Sequence, residues 1–453
     1  MKFTALICGA ALSLAATAGW AQQPAGSAPV RPIGITLERA VEIALDNNPT
    51  IRIADMEIQR QNYVRKETRG NLLPTVSGSG SYQYNIMNPV MFLPADIFGP
   101  GTGGAMRMGF DNSYTGGFSL SLPLYVPTLY KTLQLNDEQM RAAVESARAS
   151  KVTLTAQVKK TCYGILLGES SLDVLKKNIE YARLIVETTE NSFKQGIVSE
   201  YDLITAQVQL SNLAPTMIQI ENSLKNARLL LNMLLSLPLD TPLELAEDLY
   251  GYTDYIDTDP SREIDLSRNT DLALLDAQAG ILRKSYEIQR AQRIPTLAAM
   301  GSYQVLSQSN DWRIGHYQWK GTAFVGAQLS VPLFAGFTKN NKERQLLNSM
   351  DQLKVQRGYL EENVNVQARG ALDDIFRSQE QMKANETALE QARKGYRIAK
   401  TRYDVGAGTI VELNSAQMAL LQADLNYSQS IHDYMSAQTD FDQVLGKEEQ
   451  GKL

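Results

Sequence analysis

Two stretches of this chain are written to one plan. Residues 69–84 read RGNLLPTVSGSGSYQY and residues 290–305 read RAQRIPTLAAMGSYQV, so Pro74 aligns with Pro295 and GSYQ recurs from Gly80 and from Gly301. FSLSLPLY, from Phe118, answers AQLSVPLF, from Ala327. FKQGIVSEYDLITAQVQL, from Phe193, answers YDVGAGTIVELNSAQMAL, from Tyr403. The blocks keep their order, and spacing drifts only between the first and second, where the first copy has the longer loop. Unrelated segments of similar composition would not preserve that order, so the chain is an internal duplication, and the architecture of one half constrains the other. The reading divides it into a leader (1–21), an N-terminal tail (22–35), a first repeat (36–236), a linker rich in Pro, Asp and Thr (237–262), a second repeat (263–446) and a short tail (447–453).

Each copy is predicted to hold the same elements. A short helix leads in at Thr36 to Asp46, with Leu37, Ala40, Val41, Ala44 and Leu45 on one face. A second helix ends before Pro74 or Pro295, and two strands follow. Then comes a long segment free of proline, Thr128–Gln195 or Thr338–Val405, which as one helix would reach about 100 Å at 1.5 Å per residue. A glycine-centred turn and a return helix close the copy. Pro215 lies within the first return helix and is expected to kink or break it.

Toward the turn, Ile165, Leu172, Ile179, Val186 and Phe193 recur every seven residues, as do Ile375, Met382, Leu389, Tyr396 and Tyr403. Small residues (Gly168 and Ala182; Ala392 and Ala399) occupy the other seam position. A seven-residue repeat sets a left-handed supercoil, although a buried stripe in an ordinary bundle reads alike. Helix length favours an elongated object.

The turns share a pattern. Gly196 and Gly406 suit the left-handed residue that ends a helix. Ser199 and Thr409 are placed to cap the next helix, with Asp202 and Glu412 three residues later completing a capping box. These are tight tips of helical hairpins, and Gly196, Ser199, Gly406, Gly408 and Thr409 are candidate docking residues there.

The strands alternate. Phe118, Leu120, Leu122 and Leu124 share one face; Val325, Ala327, Leu329, Val331 and Leu333 do likewise; and Val76, Tyr82 and Tyr84 oppose Ser77, Ser79, Ser81 and Gln83. This pattern fits a membrane barrel with a wet interior and equally a half-buried sheet. Export decides between them. Lys2, the apolar run Phe3 to Ala18 and Gly19-Trp20-Ala21 form a cleavable leader, so the mature chain is predicted to begin at Gln22. No later apolar stretch reaches the ~20 residues of a membrane helix, so the chain would enter a membrane only as strands. Four strands do not close a barrel; their edges must pair with other copies, and a trimer supplies twelve. Tyr114, Tyr125, Tyr303, Trp312 and Trp319, near the strand ends, suit interfacial belts.

The chain resembles the outer-membrane efflux protein family, the TolC-like outer membrane factors, over nearly its whole mature length. The resemblance rests on Ala44-Leu-Asp-Asn-Asn-Pro49, Leu73-Pro74, Pro332-Leu-Phe-Ala-Gly336 and, above all, Tyr403-Asp-Val-Gly406 through Thr409-Ile-Val-Glu412 to Ala416, in order and doubled. It implies a mainly α fold with a membrane β-barrel: a trimer with a twelve-stranded barrel in the outer membrane and a long coiled α-helical tunnel in the periplasm. It further implies a passive exit duct for small molecules or secreted polypeptides. The implied partners are two further copies, outer-membrane lipid, a periplasmic adaptor (membrane fusion protein) and an inner-membrane pump of RND or ABC type. By the same resemblance, Glu412 matches the outer carboxylate of an acidic ring near the tips, whereas the second acidic position is Ser415 here. Tyr403 and Asp202 match residues that hydrogen-bond between neighbouring helical pairs to hold the entrance shut. Where the archetype adds an arginine, this chain has Gly408. Asp202 and Glu412 also fit as helix caps alone, and the two roles are compatible.

Other chemistry is sparse. His316 and His432 have no Cys, His or carboxylate partner at metal-ligand spacing, and no cofactor is expected. There is no phosphate loop and no nucleophile elbow, so an enzyme is not expected. Asp373 and Asp374 are adjacent on a helix and point apart. The net charge of −5 gives no footprint for nucleic acid. The loop 85–112, rich in Pro, Met, Gly and Phe, either folds over a pore mouth or is an ordinary surface loop. The competing function is a periplasmic coiled-coil adaptor or scaffold; adaptors usually carry one helical hairpin, against the two here.

Overall fold

The computed structural model describes residues 33–93, 104–255 and 264–448. The predicted leader, most of both tails and part of the linker lie outside those residues. The first copy runs α1 (Leu37–Asn47), α2 (Pro49–Gly70), β2 (Thr75–Tyr84), β5 (Asn112–Tyr125), α3 (Pro127–Lys194) and α4 (Glu200–Leu234). The second runs α5 (Thr270–Ala291), β7 (Thr296–Ser309), β8 (Lys320–Ser330), α6 (Thr338–Asp404) and α7 (Ile410–Val444). Short strands β1 (Ile33–Ile35), β3 (Val90–Leu93), β4 (Gly104–Arg107) and β6 (Leu243–Leu245) complete the set.

The long segments are single helices of 68 and 67 residues, about 100 Å each. Helix α4 also runs unbroken through Pro215, contrary to the break that its ring invites. The lead-in helix is a second departure: among the described residues only the first copy has one. In the second copy, Asp265 accepts the Ser267 backbone N–H at 2.9 Å and turns the chain. Ile264 and Leu266 pack on the core where a helix face was expected.

Strands β2, β5, β7 and β8 form one antiparallel sheet in that order, so the two hairpins join through β5 and β7. The register aligns the alternation across the whole sheet. Val76, Leu120, Gly301 and Val325 form one cross-strand row, and Gly78, Phe118, Tyr303 and Ala323 the next. On the opposite face, Ser77, Ser119, Ser302 and Phe324 form a row, as do Ser79, Gly117, Gln304 and Thr322. One face is therefore apolar along its length and the other is dominated by Ser, Thr, Gln and Gly. Among the described residues, edge strands β2 and β8 each pair on one side only.

At the end of the sheet away from the helices, Tyr114 stacks on Tyr82 at 4.9 Å and contacts Tyr317 and Trp319 at 5.4 and 6.4 Å. The loop after β2 carries a second, two-stranded ribbon, β3 with β4. Asn310 accepts the Asp111 backbone N–H at 2.9 Å and ties the base of this ribbon to the other hairpin.

Beneath the sheet the helices pair as hairpins, α3 with α4 and α6 with α7. The heptad positions Ile165, Ile375, Met382 and Leu389 are buried, while Phe193 beside the tip is half-exposed. Val174, Leu175 and Ala182 of α3 meet Leu213 of α4 and Leu421 of α7, joining the two copies. The largest core lies around the middle of the long helices, where α1, α3, Leu231, Tyr434 and Phe441 converge with Cys162. There β1 pairs in parallel with β6, and Glu247 accepts the first N–H of α1, from Leu37, at 3.1 Å. Burial pushes the Cys162 thiol up to about 12.

Each copy is closed at its base by an asparagine. Asn48 caps α2 through Oδ1, which accepts from Thr50 N at 2.8 Å, while its Nδ2 donates to the Leu234 carbonyl at 2.9 Å. Asn269 caps α5 in the same way, accepting from Asp271 and Leu272, and donates to the Val444 carbonyl at 2.7 Å. Both carbonyls end return helices, where the last acceptors lack an intrahelical donor.

Candidate functional site at the hairpin tips

Both hairpins turn by the same backbone device. Gly196 and Gly406 have φ of +72° and +74°, a region that costs other residues about 1–2 kcal/mol. Ile197 N donates to Ser192 O at 2.9 Å, and Ala407 N to Arg402 O at 2.8 Å. Gly196 N and Gly406 N donate to Phe193 O and Tyr403 O, each at 2.9 Å. This pairing satisfies the final carbonyls of α3 and α6.

The caps that follow differ. In the first tip the box is complete: Asp202 N donates to Ser199 Oγ at 3.2 Å, and Asp202 Oδ2 accepts from the Ser199 N–H at 3.1 Å and from its hydroxyl at 2.7 Å. In the second tip Thr409 Oγ1 accepts from Glu412 N at 3.2 Å, but the Glu412 carboxylate does not return to Thr409. It turns instead to Arg402, 3.4 Å away, whose other nitrogen donates to the Ala407 carbonyl at 3.2 Å. The cause is local: the position equivalent to Arg402 in the first copy is Ser192, which carries no charge. Gly408 sits where the chain passes α6 closely, since a Cβ there would lie 3.2 Å from the Tyr403 nitrogen and from Arg402 Cβ.

Tyr403 and Asp202 do not meet within the chain. The Tyr403 hydroxyl lies 3.4 Å from Thr189 Oγ1 on α3, so it bridges the second hairpin to the first, and Asp202 is turned into its own cap. Ile197, Tyr201, Val405 and Val411 stand exposed around the two tips. Among the described residues no group of three or more His, Cys, Asp or Glu is placed to hold a metal ion.

A four-stranded sheet with one apolar face and two unpaired edge strands is carried on paired helices of about 100 Å. A profile described as "Outer membrane efflux protein" matches residues 40–236 and 264–447. The chain belongs to the outer membrane efflux protein family. Two relatives in this family are the alkaline protease secretion protein AprF of Pseudomonas aeruginosa and the outer membrane protein TolC of Vibrio cholerae. The first is 25% identical over 87% of this chain and 81% of its own length, the second 22% identical over 73% and 76%. The Campylobacter jejuni CmeC outer membrane channel shares the fold, with a TM-score of 0.71 at 18% identity over 90% of this chain and 85% of its own.

Sequence reasoning missed Arg402, Thr189 and the two asparagine clasps. Arg402 lies outside the tip motif proper, and Thr189 carries no pattern of its own. Asn48 and Asn269 were legible as cap residues, each directly before a helix of the duplicated plan.

Proposed function

We propose that three copies of this chain pair edge to edge, β2 of one against β8 of the next, and close a twelve-stranded barrel in the outer membrane above a continuous helical tunnel in the periplasm. The observation that carries this is the sheet: a face apolar across all four strands together with two unpaired edges. Open edges are not tolerated in lipid, and four strands do not close on themselves. The duct conducts passively, and the energy comes from an inner-membrane pump of RND or ABC type through a periplasmic adaptor docked at the tips. The cargo is small molecules or secreted polypeptides; the alkaline protease secretion protein among the relatives supports the second. The leader, cleaved after Ala21, directs export, and the repeats at 36–236 and 263–446 are the duplicated units, joined by the 237–262 segment.

At the closed end, Tyr403 with Thr189 holds the two hairpins of a copy together, while Asp202 and Glu412 face the entrance as caps with an added gating role. Gly196, Ser199, Gly406, Gly408 and Thr409 shape the docking surface. Heat-resistant trimers in the outer-membrane fraction are the expected result for the assembly; a soluble periplasmic monomer would overturn it. For the gate, Tyr403→Phe combined with Asp202→Ala is expected to raise single-channel conductance in planar bilayers. Unchanged conductance would reduce both residues to structural roles.

A further inference from the structure

The sheet meets the helices at a ring of positive charge. Four ten-residue windows flank that junction: 65–74 and 286–295 lead into β2 and β7, and 127–136 and 338–347 open α3 and α6. Together they hold nine Lys or Arg against three Glu, in a chain of net charge −5. Three of the cations have carboxylate partners: Arg65 with Asp137, Lys131 with Glu287 and Arg293 with Glu343. Lys66, Arg69, Arg290, Lys339, Lys342 and Arg344 have no carboxylate within 4.0 Å among the described residues, and all but Lys339 are exposed.

The apolar residues beside this ring are uncovered. Leu333 is 91% exposed and Phe334 78%. Phe337 is 66% exposed and packs edge-on against Phe334 at 5.6 Å. Its backbone has φ of +61°, a conformation that a bulky residue adopts only under constraint. The turn is held by the Thr338 N–H on the Ala335 carbonyl at 3.1 Å, yet the ring it projects is not buried. Phe334, Phe337, Leu333, Arg293 and Lys339 line a hollow of ≈ 230 Å³. Lys339 donates to the Gln292 carbonyl at 2.6 Å, which leaves two of its three N–H groups to aim elsewhere.

We infer that this collar binds the headgroups of anionic phospholipids in the periplasmic leaflet, with Phe334 and Phe337 seated among the acyl chains and Lys339, Lys342 and Arg344 on the phosphates. The inference rests on the membrane reading of the sheet. Apolar wedges directly followed by unpaired cations match the order of a leaflet crossed from its core to its surface. Charge complementarity selects an anionic lipid over a neutral one, with each cation near such a surface contributing about fivefold in affinity.

The test uses the full chain, extracted from the outer membrane and placed in nanodiscs of phosphatidylcholine with or without phosphatidylglycerol. Retained lipid is counted by native mass spectrometry. The natural chain is expected to enrich phosphatidylglycerol at least tenfold over a Lys339→Gln/Lys342→Gln/Arg344→Gln variant. The same charge loss near the tips of α6, Lys383→Gln/Lys394→Gln/Lys400→Gln, is expected to leave enrichment intact. Phe337→Gly is expected to raise the melting temperature in detergent while lowering lipid retention, an opposition that a merely structural residue would not show. Equal enrichment in the natural chain and the collar variant overturns the inference. So does equal stabilisation by inorganic phosphate, or cross-linking that seats Phe337 on a second copy in neutral lipid. A chain that enters the nanodisc but shows no lipid preference removes only the collar, whereas one that never inserts removes the duct reading as well.

Discussion

Val325→Arg separates a sheet in lipid from a sheet in water. Val325 is 92% exposed and lies near the middle of β8 on the apolar face. The eleven residues of β8 span about 37 Å, which at a tilt of about 40° covers about 28 Å of height, close to the apolar band of such barrels. Val325 therefore sits near the midplane, where an outward arginine costs about 2–4 kcal/mol per copy, or about 6–12 kcal/mol for three. Per chain this is a factor of about 30 to 1,000 in the insertion equilibrium. In water, a substitution at so exposed a position would fall within about 0.5 kcal/mol of neutral. Gln328→Arg, three residues along on the polar face opposite Ala298, is the control and is expected to be nearly silent. The assay is recovery of heat-resistant trimer from the outer-membrane fraction, with urea midpoints followed by tryptophan fluorescence. If the two variants behave alike, or if Gln328→Arg is the worse, the assignment of the faces is wrong.

The asparagine clasps should behave as equivalents. Asn48→Ala and Asn269→Ala each remove a helix cap and leave a buried carbonyl unpaired, for an expected loss of about 2–4 kcal/mol in urea unfolding. Ser199→Ala is expected to cost the first tip about 1 kcal/mol, seen as faster hydrogen exchange in the first turn of α4, with a smaller effect from Glu412→Gln because that carboxylate does not complete its box. Cys162 is buried with its thiol near 12, so maleimide should label it only after unfolding. The folded state raises this group, so its contribution is intact below the unfolded value near 9 and is lost as pH climbs toward 12; stability measured across that window should fall, and should fall less in Cys162→Ala.

The parts legible in sequence were those governed by local periodicity. Strand alternation, heptad spacing and the glycine–serine tips each encode a backbone state over a few residues, and the duplication let each reading be made twice. The missing lead-in helix of the second copy was not legible as a loss, because Ile264 and Leu266 keep the apolar character of a helix face while Asp265 folds the chain differently. Pro215 argued for a break, yet α4 persists because its apolar residues, Leu213 among them, remain packed against α3 on either side of the ring. At the tips, sequence gave the caps but not their divergence. Glu412 has the same spacing as Asp202, and only the placement of Arg402 in space diverts it. The collar was invisible in the sequence for another reason. Its charges are spread over four segments as far apart as Arg65 and Arg344, and only the shared end of the sheet gathers them.

The pairing of β1 with β6 has a consequence for how the chain is made. The first described strand, Ile33–Ile35, is clasped by Leu243–Leu245, which lies in the seam between the copies. The first helix, likewise, takes its opening hydrogen bond from Glu247. Strand β1 therefore lacks its pairing partner until more than half of the chain has been made. Contacts so distant in sequence are slow to form. Dividing the gene at the repeat boundary would not yield two self-sufficient halves, because the piece that secures the beginning belongs to neither. The seam supplies contacts that two copies in a row would not, and there the duplicated chain is more than the sum of its repeats.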